Sequence, residues 1–183
     1  MAQDIILVSG AIASGKTSIC DMMARRYSFQ VLSTRYLVQA ATATTGDRES
    51  LQKAGENLDQ STNGRWVAAA LTLLVQKLPA AVFILVDAVR TRSQITAIRE
   101  AFGPRVAHIH LTAPLDVLAQ RYLVRRSEVR ELDSYAGLKV NKTEADIEEL
   151  AHVADVVIDT HRNNIADAVG QVAHFLRLHA ERE

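Results

Sequence analysis

The stretch Gly10-Ala-Ile-Ala-Ser-Gly-Lys-Thr17 decides how the rest of the chain folds. It matches the pattern G-x-x-x-x-G-K-[ST] at every specified position, which a chain of this length should do by chance about one time in a hundred or less. The apolar run from Asp4 to Ser9 precedes it as a predicted strand, and Ser18 to Arg26 continues it as a predicted helix. A strand, a glycine-rich loop and a helix in this order predict a backbone cradle for a phosphate group.

The residue types in the loop indicate how a nucleotide would be held and which ion would accompany it. The backbone N–H groups of residues 11–16 should turn toward phosphate oxygens, and the N-terminus of the following helix adds partial positive charge. Lys16 would reach the β- and γ-phosphates, and the Thr17 hydroxyl would bind Mg²⁺. We therefore predict ATP and Mg²⁺ as cofactors. The predicted cofactor-binding residues of the loop are Gly10, Ala11, Ala13, Ser14, Gly15, Lys16, Thr17 and Ser18.

The composition is that of a globular domain of ordinary size. The 183 residues are 48% hydrophobic and 23% charged, and Lys plus Arg equals Asp plus Glu at 21 each, so no overall basic field attracts nucleic acid. No apolar run reaches the roughly 18 residues of a membrane span, so we expect no membrane partner and a cytoplasmic location. The single cysteine, Cys20, has no disulfide partner and is expected in the core.

Strand-like and helix-like segments alternate along the whole chain. Apolar runs bounded by turn residues predict strands at 4–9, 29–33, 81–87, 105–111 and 154–159. Helical patterns lie at about 18–26, 34–42, 47–55, 65–77, 91–102, 112–128 and 164–180. The alternation predicts an α/β fold in which a five-stranded parallel sheet carries helices on both faces, as a single domain over 1–183. Ligands should bind outside the carboxyl ends of the strands.

Several residues outside the loop are better explained by packing than by chemistry. The predicted helix 65–77 is apolar nearly all round, which predicts that it is buried, and Trp66 is expected in the core rather than as a platform for base stacking. His108 and His110 alternate along the fourth predicted strand and could point to one side. A metal pair is conceivable by spacing, but no cysteine or carboxylate cluster accompanies it, which favours histidines with hydrogen-bond partners in the core or at a sheet edge.

Asp87 and a set of arginines supply the charges that phosphoryl transfer needs. Asp87 closes a buried apolar run, where its carboxylate could hold Mg²⁺ together with Thr17 or accept a proton from an attacking oxygen; a helix cap or turn residue is the alternative. Arg121 and Arg125 are four residues apart and so share a helix face. Guanidinium groups match the negative charge that spreads over a transferring phosphoryl group. We therefore predict Lys16, Asp87, Arg121 and Arg125 as catalytic residues.

Beyond the loop, nearly the whole chain resembles the nucleoside-monophosphate kinase branch of P-loop proteins, which includes adenylate, cytidylate and phage deoxynucleotide kinases. Leu32-Ser-Thr-Arg35 resembles the start of that family's acceptor site, which implies that Thr34 and Arg35 meet the monophosphate. Val86-Asp-Ala-Val-Arg90 resembles the family's Asp-x-Val-Arg segment, which implies that the aspartate lies near the reacting phosphates and that Arg90 grips the acceptor.

The same resemblance marks an acceptor-binding insertion at about 34–65. Residues 48–55 resemble a segment that lies beside the acceptor base in small nucleotide kinases, which implies Arg48 and Gln52 as further acceptor contacts. The stretch between the second and third strands is long, and its base-reading residues match no one substrate. The identity of the acceptor is therefore left open at this point.

The resemblance also implies a lid and a contact to the donor base. Residues 111–125 are similar to the family's entry into its lid, here a short lid at about 123–142 without zinc-binding cysteines, whose arginines would close over the transferring phosphoryl group. Residues 154–159 and the following Thr160-His-Arg-Asn163 resemble the final strand and the loop that lies against the donor base. Arg162 is accordingly a predicted ATP contact.

These observations predict a Mg²⁺- and ATP-dependent kinase of a nucleoside or deoxynucleoside monophosphate. One alternative is a P-loop kinase of another small acceptor, such as dephospho-coenzyme A, a sugar acid or shikimate, because the same loop serves all of these. A second alternative is a non-catalytic module that binds ATP as a regulatory signal. The predicted partner is a small-molecule acceptor, and the sequence is compatible with a monomer or a homodimer.

Overall fold

A five-stranded parallel sheet forms the centre of the structure, a computed structural model that describes residues 4–42, 48–79, 82–124 and 146–180. Its strands are β1 (Ile5–Gly10), β2 (Gln30–Ser33), β3 (Ile84–Asp87), β4 (Val106–Thr112) and β5 (Val156–Asp159). They lie side by side in the order β2-β3-β1-β4-β5. The predicted α/β fold is confirmed, and the central strand β1 is buried at every residue, as expected when helices cover both faces.

Helices alternate with the strands as the sequence predicts. They are α1 (Lys16–Tyr27), α2 (Thr34–Thr42), α3 (Arg48–Thr62), α4 (Arg65–Val75), α5 (Arg92–Phe102), α6 (Leu115–Val124) and α7 (Ile165–Ala180). Short 3₁₀ helices, Gly103–Arg105 and Glu148–Val153, precede β4 and β5. Within the described part of the chain, each helix is too short or too polar to span a bilayer.

Alternate residues of β1 build the two halves of the core. Ile5 and Leu7 pack on one face of the sheet with residues of α4 and α5, and Ile6 and Val8 pack on the other face with residues of α1 and α7. Cys20 belongs to the second half, where it is buried, as predicted. Burial raises the pKa of its thiol well above the usual value, so this side chain packs as a small hydrophobic group.

Helix α4 is less buried than its sequence predicts. Val67 and Leu71 are fully buried, but Leu73 on the same helix is 60% exposed, and the helix ends at Val75. The prediction of burial all round is therefore wrong. The physical reason is that α4 belongs to an outer layer, so the side with Leu73 is exposed while other sides pack on the sheet and on neighbouring helices.

The third strand is shorter than the apolar run that contains it. The run begins at residue 81, but pairing starts at Ile84, which lies opposite Ile5 of β1 and Gln30 of β2. Val82 instead donates its N–H to the carbonyl of Pro79 at 3.1 Å in a turn. A ladder can only be as long as its partner strands, so the flanking strands set the start of β3.

Helices α2 and α3 of the predicted acceptor-binding insertion pack with α4 into a small cluster. Val38 and Leu51 are buried there, and Leu58 and Trp66 pack against them. The predicted helix 47–55 runs on to residue 62, with Gly55 in the interior of α3. The predicted start at 47 and the predicted residues 125–128 of the sixth helix lie outside the described residues.

The turn between α3 and α4 gives a direct test of this packing. Gly64 has φ of 74°, and an added Cβ would lie 2.5 Å from the backbone nitrogen of Gln94 and 2.6 Å from the carbonyl carbon of Ser93. Gly64→Ala should therefore lower the free energy of unfolding by about 2 kcal/mol or more. Urea unfolding measures this change.

Gly170→Ala is the matched control for that substitution. Gly170 lies in α7, and an added Cβ would have nothing within 4 Å. The control should leave stability unchanged or raise it by about 0.5–1 kcal/mol. Equal stabilities for the two variants would contradict the close approach of the turn to α5.

Candidate active site

A cleft of about 1140 Å³ opens at the carboxyl ends of the strands, where ligands bind in open parallel sheets. It is lined by the loop after β1, by α1, α2 and α3, by the residues after β3, by α6, and by the turn after β5. The predicted site residues that line it are Ala13, Ser14, Gly15, Lys16, Thr17, Ser18, Thr34, Arg35, Gln52, Asp87, Arg90 and Arg121. The fold thus brings the predicted donor and acceptor residues into one cavity.

The loop after β1 has the shape that its glycines predict. An added Cβ on Gly10 would collide with the carbonyl oxygen of Leu111 and lie 2.8 Å from Ser14 Oγ, so no other residue fits there. Lys16 Nζ donates to the carbonyl oxygens of Gly10 at 2.7 Å and Ala11 at 2.8 Å. Helix α1 begins at Lys16 with no acidic residue in its first turn, which favours an anion at its N-terminus.

Asp87 ends β3 in a position that two hydrogen bonds define. The hydroxyl of Thr34 accepts the N–H of Ala88 at 3.2 Å and donates to the Ala88 carbonyl oxygen at 2.8 Å, which holds the chain directly after Asp87. Thr17 lies in the first turn of α1. Mg²⁺ prefers hard oxygen ligands and keeps several waters, so a hydroxyl and a carboxylate lining the same cleft fit this ion.

The arginines of the cleft lie on different sides of it. Arg35 at the start of α2 and Arg90 after β3 are half-buried and line the side that α3 also lines. Arg121 lies in α6, and its guanidinium donates to Thr160 Oγ1 at 3.0 Å and to the Thr160 carbonyl oxygen at 2.7 Å. Arg121 is thus anchored to the end of β5, which gives a positive charge in a fixed position.

Three other predicted arginines are not placed in the cleft by the described residues. Arg162 is exposed, and its Nε lies 3.5 Å from Asp159 Oδ2; Asn163 and Asn164, next in the chain, line the cleft in its place. Arg48 is the first residue of α3, but only its backbone is described. Arg125 and most of the predicted lid lie outside the described residues.

The cleft also contains residues that the sequence analysis did not assign to it. Trp66 is half-buried and lines the cleft as well as packing on the α2–α3 cluster, so its prediction as a simple core residue is wrong in part. Glu56 and Asp59 follow Gln52 along α3 by four and seven residues and also line the cleft. That helical spacing on one face is the signal that could have found them.

Beneath the loop, Ser9 connects the two histidines of β4. Its hydroxyl lies 2.7 Å from His108 Nε2 and 2.8 Å from His110 Nδ1, and all three side chains are buried. His108 Nδ1 lies 3.4 Å from the carbonyl oxygen of Val153, which can only accept. His108 therefore carries its proton on Nδ1, Ser9 donates to His108 Nε2, and His110 Nδ1–H donates to Ser9.

The surroundings keep both of these histidines neutral. The pKa of each is lowered from 6.5 to about 4, with burial as the largest cause, and the neighbouring His108 and the Lys16 charge contribute to the lowering at His110. Among the residues that the structure describes, no group of three or more His, Cys, Asp or Glu side chains could hold a metal. The predicted role as core histidines with hydrogen-bond partners is confirmed.

The fold and the loop define a class of protein, the α/β proteins built on a P-loop at the carboxyl edge of a parallel sheet. Within that class the chain belongs to the AAA domain family, whose sequence profile matches residues 5–149. That match includes the P-loop, the predicted acceptor-binding insertion and α6. No curated protein matches the sequence.

Solved structures with the same fold cover nearly the whole chain at low sequence identity. A shikimate kinase from Acinetobacter baumannii in complex with shikimate is 20% identical, with a TM-score of 0.60 over 95% of this chain and 93% of that one. A shikimate kinase from Bacteroides thetaiotaomicron is 13% identical, with a TM-score of 0.64 over 96% and 99%. A gluconokinase from Sinorhizobium meliloti is 17% identical, with a TM-score of 0.54 over 96% of each chain.

The low pKa values of the buried histidines predict a loss of stability in mild acid. The folded protein binds fewer protons than the unfolded chain between pH 6.5 and about 4, so the free energy of unfolding should fall as pH falls through that window. The fall is up to about 1.4 kcal/mol per pH unit for each histidine. Urea unfolding at several pH values measures the slope.

His110→Gln and His174→Gln form the matched pair for this measurement. The first removes one of the two buried titrating groups and should reduce the pH dependence by about half. The second changes an exposed histidine of α7 and should leave the slope as in the wild type. A His110→Gln variant with the full wild-type slope would contradict the assignment.

Proposed function

We propose that this protein is a Mg²⁺-dependent kinase that transfers the γ-phosphoryl group of ATP to a small anionic acceptor. The observation that carries the proposal is a single cleft lined by the P-loop, the strand-end carboxylate of Asp87, and arginines of separate elements, Arg35, Arg90 and Arg121. Donor and acceptor groups in one cavity suit direct transfer without a covalent intermediate, in which positioning and charge lower the barrier.

The donor side follows from the geometry of the loop. The N–H groups of the loop and the N-terminus of α1 would bind the phosphates, with the ammonium group of Lys16 beside them. Mg²⁺ held by Thr17 and Asp87 would neutralise charge on the phosphate oxygens. Arg121, fixed by its bonds to Thr160, would face the transferring group as a preorganised cation.

The acceptor side combines positive charge with an unused hydrogen-bond donor. A half-buried guanidinium group forms its strongest hydrogen bonds with a negatively charged partner, so Arg35 and Arg90 favour an acceptor with a carboxylate or phosphate group. Gln52 Nε2 is buried and has no hydrogen-bond partner among the described residues. Leaving a buried donor unpaired costs free energy, so an acceptor oxygen at this atom would be favoured.

Two acceptor classes fit these groups, and we place hydroxylated carboxylic acids first. Shikimate, bound in one of the solved structures above, and gluconate, for which another is named, both belong to that class. For such an acceptor, Asp87 would take the proton of the attacking hydroxyl. A nucleoside monophosphate, the acceptor that the sequence resemblance implies, offers an attacking phosphate oxygen to the same arginines and is the second class.

An assay of ADP release with ATP and Mg²⁺ tests the proposal and separates the acceptor classes. The panel contains shikimate, gluconate and related sugar acids, dephospho-coenzyme A, and the ribo- and deoxyribonucleoside monophosphates. We expect one class to stimulate ADP formation well above the basal rate. Tight ATP binding without stimulation by any acceptor would contradict the kinase and would favour an ATP-binding regulatory module.

Removing the P-loop ammonium group should abolish most of the activity. Lys16→Ala is expected to lower kcat/KM for the acceptor at least about 100-fold, because a preorganised charge at the transferring group is lost. Lys77→Ala changes an exposed lysine after α4 and is the matched control, expected to keep wild-type rates. Unimpaired phosphoryl transfer by the Lys16 variant would contradict the proposed role of this lysine.

A further inference from the structure

The carboxylate of Asp59 collects hydrogen bonds from three side chains at the base of the acceptor side. Trp66 Nε1 donates to Oδ1 at 2.6 Å, and Gln94 Nε2 donates to Oδ1 at 2.9 Å and to Oδ2 at 3.0 Å. Thr91 Oγ1 donates to Oδ2 at 3.4 Å. Both carboxylate oxygens of Asp59 therefore accept hydrogen bonds from side chains of neighbouring segments inside the protein.

Gln94 links Asp59 to the backbone of Arg90. Its amide oxygen accepts the backbone N–H of Arg90 at 2.8 Å while its NH₂ group faces Asp59. The partners therefore assign the orientation of the amide. Because Gln94 is only 2% exposed, water cannot readily replace either bond. The position of Arg90 therefore depends on a continuous hydrogen-bond path from Asp59 through Gln94 to the Arg90 N–H.

The same hydrogen-bond path also fixes the position of the face of α3 that lines the cleft. Asp59 lies seven residues after Gln52, two turns along one side of the helix. The Gly64 turn between α3 and α4 lies directly on the backbone of Gln94, so the α3–α4 pair packs closely against the start of α5. A shift of Asp59 would therefore move Gln52 relative to Arg90.

We propose that Asp59 is a positioning residue that fixes the distance between the acceptor arginine Arg90 and the acceptor face of α3. This inference rests on the proposed function, because it concerns the acceptor side of that site. Asp59 acts through Gln94 and Trp66, whose donors occupy its oxygens. The two alternatives are a direct contact between Asp59 and the acceptor and a purely structural role.

A reversal of hydrogen-bond polarity separates these roles. In Asp59→Asn the NH₂ that replaces Oδ2 faces the NH₂ of Gln94, and in Gln94→Glu two carboxylates face each other, so each single substitution puts a repulsive contact into the path and weakens it. In the double variant, the carboxylate introduced at position 94 would accept both from the amide introduced at position 59 and from the Arg90 N–H. The oxygen of that introduced amide would still accept from Trp66. The path is thus restored with its donor and acceptor exchanged.

The kinetic readout compares the acceptor with ATP. We expect Asp59→Asn to raise the KM of the acceptor by about tenfold, the effect of one net hydrogen bond to a charged group, with the KM of ATP within about twofold of the wild type. The double variant should recover most of that loss. Glu100→Gln, the same change of chemistry at an exposed site on α5, should match the wild type.

Amide hydrogen exchange at Arg90 gives a readout that needs no acceptor. The Arg90 N–H should be protected in the wild type and in the double variant, and it should exchange at least about tenfold faster in either single variant. If no acceptor is turned over but this pattern holds, the proposed function fails and the positioning path stands. If the wild type turns over an acceptor and Arg90 exchange is unchanged by Asp59→Asn, the path fails alone.

The remaining outcomes also decide between the roles. A double variant as impaired for the acceptor as Asp59→Asn, with Arg90 protection restored, would show that Asp59 touches the acceptor directly and would overturn the proposal. Equal losses for ATP and acceptor, with a lowered free energy of unfolding in urea, would indicate a purely structural role and would also overturn it.

Discussion

The packing of Gly10 on the carbonyl oxygen of Leu111 is the constraint on which the cleft depends. Because no side chain fits between these groups, the end of β1 lies directly on the end of β4, and the loop must turn sharply before α1. That turn presents the loop amides and Lys16 at the carboxyl edge of the sheet. The neighbouring strands β3 and β5 then bring Asp87 and Thr160 to the same edge.

Local pattern was enough to predict the sheet and the P-loop, because both are encoded by contiguous residues. The apolar run of β1 and the spacing of Gly10, Gly15 and Lys16 allow few other structures. Burial was harder to predict, because it depends on which faces find neighbours. Periodicity predicts that α4 is apolar all round, but among the described residues its outer side, with Leu73, is exposed. The same limit applies to Trp66, which packs and lines the cleft at once.

Residues that line the cleft were predictable where a motif or a strand end marks them and not where tertiary contact defines them. Asp87 could be found because it closes a buried run. The contacts of Asp59 could not, because its partners Trp66 and Gln94 lie on other helices and its carboxylate has no sequence signature. The roles of Arg48 and Arg125 stay predictions. The spacing predicts that Arg121 lies on a helix, but its anchor on Thr160 comes from the turn after β5, 39 residues away.

The hydrogen-bonded group of Ser9, His108 and His110 has a consequence for how the sequence can vary. Its protons have only one consistent arrangement, since the Val153 carbonyl can only accept and the Ser9 hydroxyl has one proton to donate. Replacing one member leaves a neighbour without a partner in a dry interior. The three residues, which lie on two strands, are therefore expected to vary together: related chains should keep all three or exchange them jointly.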